Sequence, residues 1–336
     1  MLTFHDTQTS RRSFLQVGGL ALGGLSLPGL LANRAQAAAN MRPVKDKSCI
    51  FLFLHGGPSQ FETFDPKMDA AAEIRSTTGE IPTKLSGITF GSTFPKLAAL
   101  NDKFSIVRSF RTGDANHDIK PIVSKGTLGA NIGSLYARVA CSNHPATGMP
   151  LNTCLFPRAV EPKSQPEVNN FGRFDSAGQL GAAYAPFVPG GGGSFQKNLE
   201  LHLDKTRVDD RRNLLAGLDK LKREADAAKL DGQDKFQQQA FQTILGGVAK
   251  AFDLSQEDPK TVARYDTAPL VRPDQISRKW NNYNNYVDNS QTLGKLLLLA
   301  RRLCEAGCGF VTVTTNFVWD MHADVNNAPC EEGMGY

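Results

Sequence analysis

Two apolar runs of strand length, each emptying into a cluster of polar and imidazole-bearing residues, constrain the fold of this chain more than any other feature. The run Ser48-Cys49-Ile50-Phe51-Leu52-Phe53-Leu54 ends in His55-Gly56-Gly57-Pro58. The run Gly309-Phe310-Val311-Thr312-Val313-Thr314 leads to Trp319-Asp320-Met321-His322, fourteen residues before the last residue of the sequence. Continuous rather than alternating hydrophobicity is the pattern of strands buried on both faces, as in a parallel sheet covered by helices. Open α/β sheets of that kind place their chemistry just past the carboxyl ends of the strands. Both polar clusters are therefore expected on one edge of one sheet, with the first run as a central strand and Asp320 and His322 as a metal-ligand pair.

Between these runs the pattern alternates strand and helix. Residues 94–100 read as helical and residues 104–110 as a strand, which empties into Arg111-Thr112-Gly113-Asp114-Ala115-Asn116-His117-Asp118. Strand, helix, strand at this spacing suggests a right-handed crossover unit, which brings the His55 and His117 clusters to the same sheet edge. A helix is expected to begin over residues 133–139 and a strand over 151–156. Gly190-Gly191-Gly192-Gly193-Ser194 is a flexible loop or a boundary. Residues 199–228, with Leu214, Leu215, Leu218 and Leu221 at helical spacing, and residues 234–252 read as amphipathic helices. They suggest a helical insertion over about 195–290, packed on the sheet or forming a lid; no heptad persists to support a coiled coil. An Asn- and Tyr-rich interlude at 280–286 precedes a helix over 293–304 closed by Gly307.

The N-terminus sets the expected compartment. Ser10-Arg11-Arg12-Ser13-Phe14-Leu15-Gln16 carries twin arginines before a Gly/Leu/Ala run over 17–31, and Ala35-Gln36-Ala37 is a small-x-small cleavage pattern. The expected organisation is a twin-arginine signal peptide over 1–37 and an α/β domain over 38–336. That predicts delivery by the twin-arginine export machinery to the periplasm or cell surface of a bacterium, with no stable membrane span after cleavage. The formal charge of +5 comes partly from the signal, and the remaining Lys and Arg are interspersed with acids, which argues against a nucleic-acid partner. The six cysteines fit no zinc-ribbon spacing, and Cys304 and Cys308 are expected to pack on one helix face.

Several segments in order carry a family resemblance: Leu54-His55-Gly56-Gly57-Pro58-Ser59, Phe64-Asp65-Pro66-Lys67, Val107-Arg108-Ser109, Asn116-His117-Asp118, Ala251-Phe252-Asp253-Leu254-Ser255, Ala300-Arg301-Arg302-Leu303-Cys304-Glu305-Ala306-Gly307 and Trp319-Asp320-Met321-His322. Together they resemble the domain of unknown function 1501 family, exported bacterial proteins abundant in planctomycetes that look like distant members of the alkaline phosphatase and sulfatase superfamily. The resemblance implies a doubly wound, mostly parallel sheet of alkaline-phosphatase-like type with a metal centre at its C-terminal edge, acting on sulfate or phosphate esters. Asp320 and His322 match the family's aspartate and histidine at this strand end. Similar proteins continue into Gly-Glu-x-Gly-Arg-Thr-like and Arg-Asp-His-Trp-like motifs beyond this sequence, so the chain reads as truncated and its sheet as incomplete. The chain departs from the wider superfamily in two ways. His55 stands where those enzymes place a carboxylate, and Asn116 and His117 occupy the neighbourhood of their nucleophile, with Thr112 the nearest hydroxyl.

The donor atoms suit a divalent cation. His55, His117, Asp118, Asp320 and His322 offer imidazole nitrogen and carboxylate oxygen, which favour zinc, manganese or iron over calcium. His117 and Asn116 are the candidate catalytic residues. Each has a plainer alternative: His55 satisfying loop backbone, His117-Asp118 capping a following helix, Asp65 and Asp114 serving turns. His-Gly-Gly also resembles the oxyanion loop of serine hydrolases, but the chain contains no Gly-x-Ser-x-Gly elbow. The expected function is a metal-dependent ester hydrolase; the alternative is a non-catalytic exported binding protein that keeps the fold.

Overall fold

The computed structural model describes Gln36, residues 47–111, 113–114, 116–120, 122–190 and 248–336, and positions 206, 207, 210, 211, 213 and 214. The compact unit that concerns the site is Ser48–Tyr336. It is a mixed α/β structure around a three-stranded parallel sheet. Strand β1 (Cys49–Phe53) enters it first; β2 (Glu80–Pro82) and β3 (Thr89–Gly91) form a separate antiparallel pair; β4 (Asn152–Leu155) and β5 (Phe310–Thr314) complete the sheet in the order β1-β5-β4. Cys49 pairs with Phe310 through to Phe53 with Thr314, and Asn152 with Phe310 through to Leu155 with Val313.

The last strand, β5, is thus the central one, and all five of its residues are buried. Helix α1 (Pro95–Ala98) is a single turn, and α2 (Ile132–Ala140) packs on the Phe310 and Thr312 face. A side chain at Gly133 would lie 2.7 Å from the Phe310 ring and 2.1 Å from Asn152 Oδ1, so glycine permits that approach. Asn131 caps α2 by accepting from Gly133 N–H at 2.7 Å, and donates to Phe174 O at 2.8 Å and to Thr312 Oγ1 at 3.3 Å. Two short helices, α3 (Ala249–Phe252) and α4 (Pro259–Tyr265), lead to the long α5 (Tyr283–Glu305), and α6 (Cys330–Gly333) is the last. Leu296, Leu299 and Leu303 of α5 meet Leu155, Val311 and Val313 on the opposite face of the sheet. Each such leucine contributes about 1.5–3 kcal/mol by leaving water.

Several expectations need correction. β1 is an edge strand among the described residues, with Ile50 41% and Leu52 40% exposed; only its Phe51 and Phe53 face packs, against the cluster of Ile119, Ile122 and Phe174. Residues 104–110 form no strand. The Phe104 ring goes instead to Phe64 and Phe90 beside the β2–β3 pair, Arg108 reaches toward Asp65, and Val107 and Phe110 are left exposed. The expected crossover at that place is therefore absent. The helix expected from 293 starts ten residues earlier because loop partners satisfy its polar first turns: Asn282 Nδ2 donates to Asn327 Oδ1 at 2.6 Å and Ala328 N–H to the Tyr286 hydroxyl at 3.0 Å. Gly307, with φ +104°, follows the helix end as expected. Cys308 lies beyond that end, buried in the core, so it does not share a helix face with Cys304. Within the stretch expected as a helical insertion over about 195–290, Val248 and Phe252 pack in the main core. The described positions between 206 and 214 are helical, with Leu214 exposed, while Leu215, Leu218 and Leu221 lie outside the described residues. All six cysteines are free thiols. No helix of the described residues is long and apolar enough to cross a membrane.

Candidate functional site

The adjacent parallel strands β1 and β5 release their chains at the same edge, and the two exits are in direct contact. Trp319 N–H donates to His55 O at 3.1 Å. Gly56 has φ +109°, and a side chain there would come within 2.4 Å of the Asp320 backbone nitrogen. Glycine is what lets the end of β1 lie against the segment that carries Asp320.

Asp320 is the hub. It is 7% exposed, and each carboxylate oxygen holds one imidazole. His117 Nε2 stands 3.2 Å from Oδ2 and His322 Nδ1 stands 2.5 Å from Oδ1. His322 uses its other nitrogen on Asp324 Oδ2 at 3.1 Å, forming a continuous His117–Asp320–His322–Asp324 chain. A left-handed Ala323, φ +56°, sits at the turn between His322 and Asp324. The Asp324 carboxylate also accepts from the backbone N–H groups of Asn327 and Asn326, which hold its pKa down to about 2. The Asp320 hydrogen bond, helped by the charges of Asp320 and Asp324, raises the pKa of His322 above its ordinary value.

His55 plays a different part. It is 1% exposed and surrounded edge-on by Phe171, Phe174 and Phe317, and its Nε2 has no hydrogen-bond partner among the described residues. Burial, with a smaller effect from a charge on His117, lowers its pKa to about 4, so the ring is neutral at pH 7. His117 packs against the same stacked Phe171–Phe317 pair, whose ring centroids are 4.8 Å apart. The cluster therefore has an aromatic floor and an exposed outer rim.

The structure brings together four of the five expected ligands at one edge: His117, Asp320 and His322 in contact, with His55 beneath them on the same phenylalanines. Asp118 is not among them. Its carboxylate turns to Lys120 at 3.5 Å, and no helix begins at that point for it to cap. Asn116 is exposed and donates its backbone N–H to Asp114 Oδ1 at 3.1 Å, so Asp114 is the turn residue expected. Asp65 instead pairs with Lys67 at 2.8 Å. Thr112 lies outside the described residues. Two features escaped sequence reasoning. Asp324 had a signal in the alternation Asp320-x-His322-x-Asp324, whereas Phe171 and Phe317 had none.

The donor set fits a divalent cation in chemistry: imidazole nitrogens, one of them the orphaned Nε2 of His55, and a carboxylate. In the present arrangement the His322 imidazole hydrogen-bonds to carboxylates and the His117 ring stands against Asp320, and among the described residues no three His, Cys, Asp or Glu side chains form a group that could hold a metal ion.

Residues 46–332 match the family described as a protein of unknown function, DUF1501. The chain belongs to the DUF1501 family. The matched span includes all three strands of the parallel sheet and every residue of the cluster, so the His117–Asp320–His322–Asp324 chain lies within the DUF1501 region itself. Neither the curated proteins nor the solved structures compared with the chain include a match.

Proposed function

We propose that this DUF1501 protein is a metal-dependent hydrolase of sulfate or phosphate esters, of alkaline-phosphatase-like type, with Asp320, His117 and His322 as the ligands of a zinc, manganese or iron ion and His55 as a buried fourth donor. The observation that carries the reading is the Asp320 carboxylate, nearly buried at the end of the central strand and engaged on both oxygens by imidazoles from different segments. Two imidazoles on one carboxylate are seldom needed for packing, and the strand end is where such sheets bind. When bound, the cation would supply Lewis-acid polarisation of the ester and acidified water. The chain's own residues do the rest. Asp320 orients both rings, and Asp324 fixes the outer nitrogen of His322. The phenylalanine floor around His55 excludes water and strengthens electrostatic interactions above it.

The test is hydrolysis of 4-nitrophenyl sulfate and 4-nitrophenyl phosphate by the purified chain with each metal added in turn. The reading expects metal-dependent turnover that Asp320→Asn lowers by about 100-fold or more. Turnover unaffected by Asp320→Asn, or none with any metal, would refute it. A second reading, a binding protein that keeps the fold without the chemistry, is favoured by the lack of a converged ligand group among the described residues. Export by the twin-arginine route is part of the proposal and rests on Arg11-Arg12 and the apolar run after them. Replacing both arginines with lysine should retain the precursor in the cytoplasm on cell fractionation, and unaltered export would contradict it.

A further inference from the structure

Beside the imidazole cluster lies an open cleft of about 670 Å³, within the usual range for small-molecule sites. Its charged lining is Arg111, Lys120 and Lys125 against the single carboxylate of Asp118. Lys120 is already engaged, by Asp114 at 2.7 Å and Asp118 at 3.5 Å. Arg111 and Lys125 belong to none of the ion pairs among the described residues, so two cationic side chains line the cleft with no ion-pair partner there, and Asp118 is the one carboxylate opposite them. Beside Ser124 and two glycines, the remaining side chains of the wall are apolar: Phe110 is 61% exposed, and Ile119, Val123 and Phe171 accompany it.

Phe171 joins the cleft to the cluster. One ring lines the cleft, stacks on Phe317 and meets the His117 ring at 5.3 Å between centroids. Asp118, which also lines the cleft, is the chain neighbour of His117. A molecule seated in the cleft therefore has one end at the edge of His117.

We infer that this cleft binds a small anionic ligand carrying a planar apolar part, and that it holds the non-reacting portion of the substrate; the second clause rests on the hydrolase reading, the first does not. Neither a bare inorganic anion nor a neutral apolar molecule would use the whole lining. The anion would leave the Phe110 and Phe171 faces unused, and the neutral molecule would leave Arg111 and Lys125 unpaired. A guanidinium both pairs with an anionic group and stacks on a planar one, which suits Arg111 to a ligand with both features.

The probes are 1-naphthalenesulfonate and its neutral counterpart 1-naphthalenemethanol, titrated calorimetrically into the purified chain. The sulfonate is expected to bind about tenfold or more tightly than the alcohol, and the double variant Arg111→Gln/Lys125→Gln to remove that advantage while leaving the alcohol's affinity unchanged. Both substitutions are at the surface, and an unchanged thermal midpoint would show that the variant folds. His322→Ala should leave sulfonate binding as it was, which separates the cleft from the cluster. Equal affinity for the two probes, no binding of either, or a double variant that binds the sulfonate like the parent would each overturn the inference. Sulfonate binding without any ester hydrolysis would leave the cleft in place and remove only the hydrolase reading.

Discussion

Alanine at position 56 tests how the site is assembled, because its cost divides into two parts that a neighbouring glycine can separate. Gly56 and Gly57 both have left-handed backbones, φ +109° and φ +77°. Forcing a residue with a side chain into such a conformation costs about 1–3 kcal/mol at either place. At Gly57 there is nothing within 4 Å of the added carbon, so the backbone term is the whole effect. At Gly56 the carbon would meet Asp320 N at 2.4 Å and the Trp319 carbonyl carbon at 2.9 Å, and these are backbone atoms that cannot rotate away. An ordinary contact needs roughly 3.5 Å, so the exits of β1 and β5 must part by about 1 Å. The Trp319 to His55 hydrogen bond is then weakened or lost, adding about 0.5–1.5 kcal/mol, with further loss from packing. Gly56→Ala should destabilise by about 2–5 kcal/mol and Gly57→Ala by about 1–3 kcal/mol, differences of several degrees in Tm for a domain of this size. Circular-dichroism melts measure both, and the imidazole NMR resonances of His117 and His322 report whether Asp320 has moved. Equal destabilisation by the two variants, with unshifted imidazole signals in Gly56→Ala, would refute the close-approach argument.

Two further predictions concern buried polar groups away from the cluster. Glu62 is 3% exposed; burial pushes its pKa up, but hydrogen bonds from Thr78, Thr77 and Ser76 outweigh that and leave it below the ordinary value of 4.5. A depressed carboxylate pKa gives stability that is present above pH 4.5 and is lost as pH falls through the folded-state value, because the unfolded chain then binds more protons. Glu62→Gln should lower stability at pH 7 by about 2–4 kcal/mol and flatten the loss of stability as pH falls below 4.5; parallel urea-midpoint profiles for the two proteins would contradict this. Asn131→Ala strands the Gly133 N–H, the Phe174 carbonyl and the Thr312 hydroxyl at once. Its expected cost is about 2–4 kcal/mol by chemical denaturation, with Asn131→Ser recovering only the cap; a cost below about 0.5 kcal/mol would contradict the assignment.

What could be read from the sequence was what local composition determines. β4 is fully buried although it carries Asn152 and Thr153, whereas β5 is a short, mainly apolar run buried on both faces, and the strand end that presents Asp320 and His322 followed from it. β1 has the same composition, yet composition alone does not say whether a strand is central or at an edge, and here the last strand in sequence takes the centre. Residues 104–110 show the context dependence of strand propensity: Phe104 gains more by joining the rings of Phe64 and Phe90 than by pairing in a sheet. The early turns of α5 looked like a loop because Asn282 and Tyr286 find their partners at residues 327 and 328, more than forty positions away. At the site, His117 and Asp118 could not be told apart by type. Neighbours in an extended segment point to opposite sides, and here His117 turns to Asp320 while Asp118 turns to Lys120.

The carboxylate of Asp320 and its two imidazoles are proposed to hold a metal ion. Elemental mass spectrometry on the purified, folded chain tests it most directly, beside Asp320→Ala and His322→Ala variants whose folding is checked by circular dichroism. About one equivalent of zinc, manganese or iron is expected in the parent protein, with loss of that metal from both folded variants. Folded parent protein without stoichiometric metal after incubation with each ion, or the same metal content in all three proteins, would contradict it.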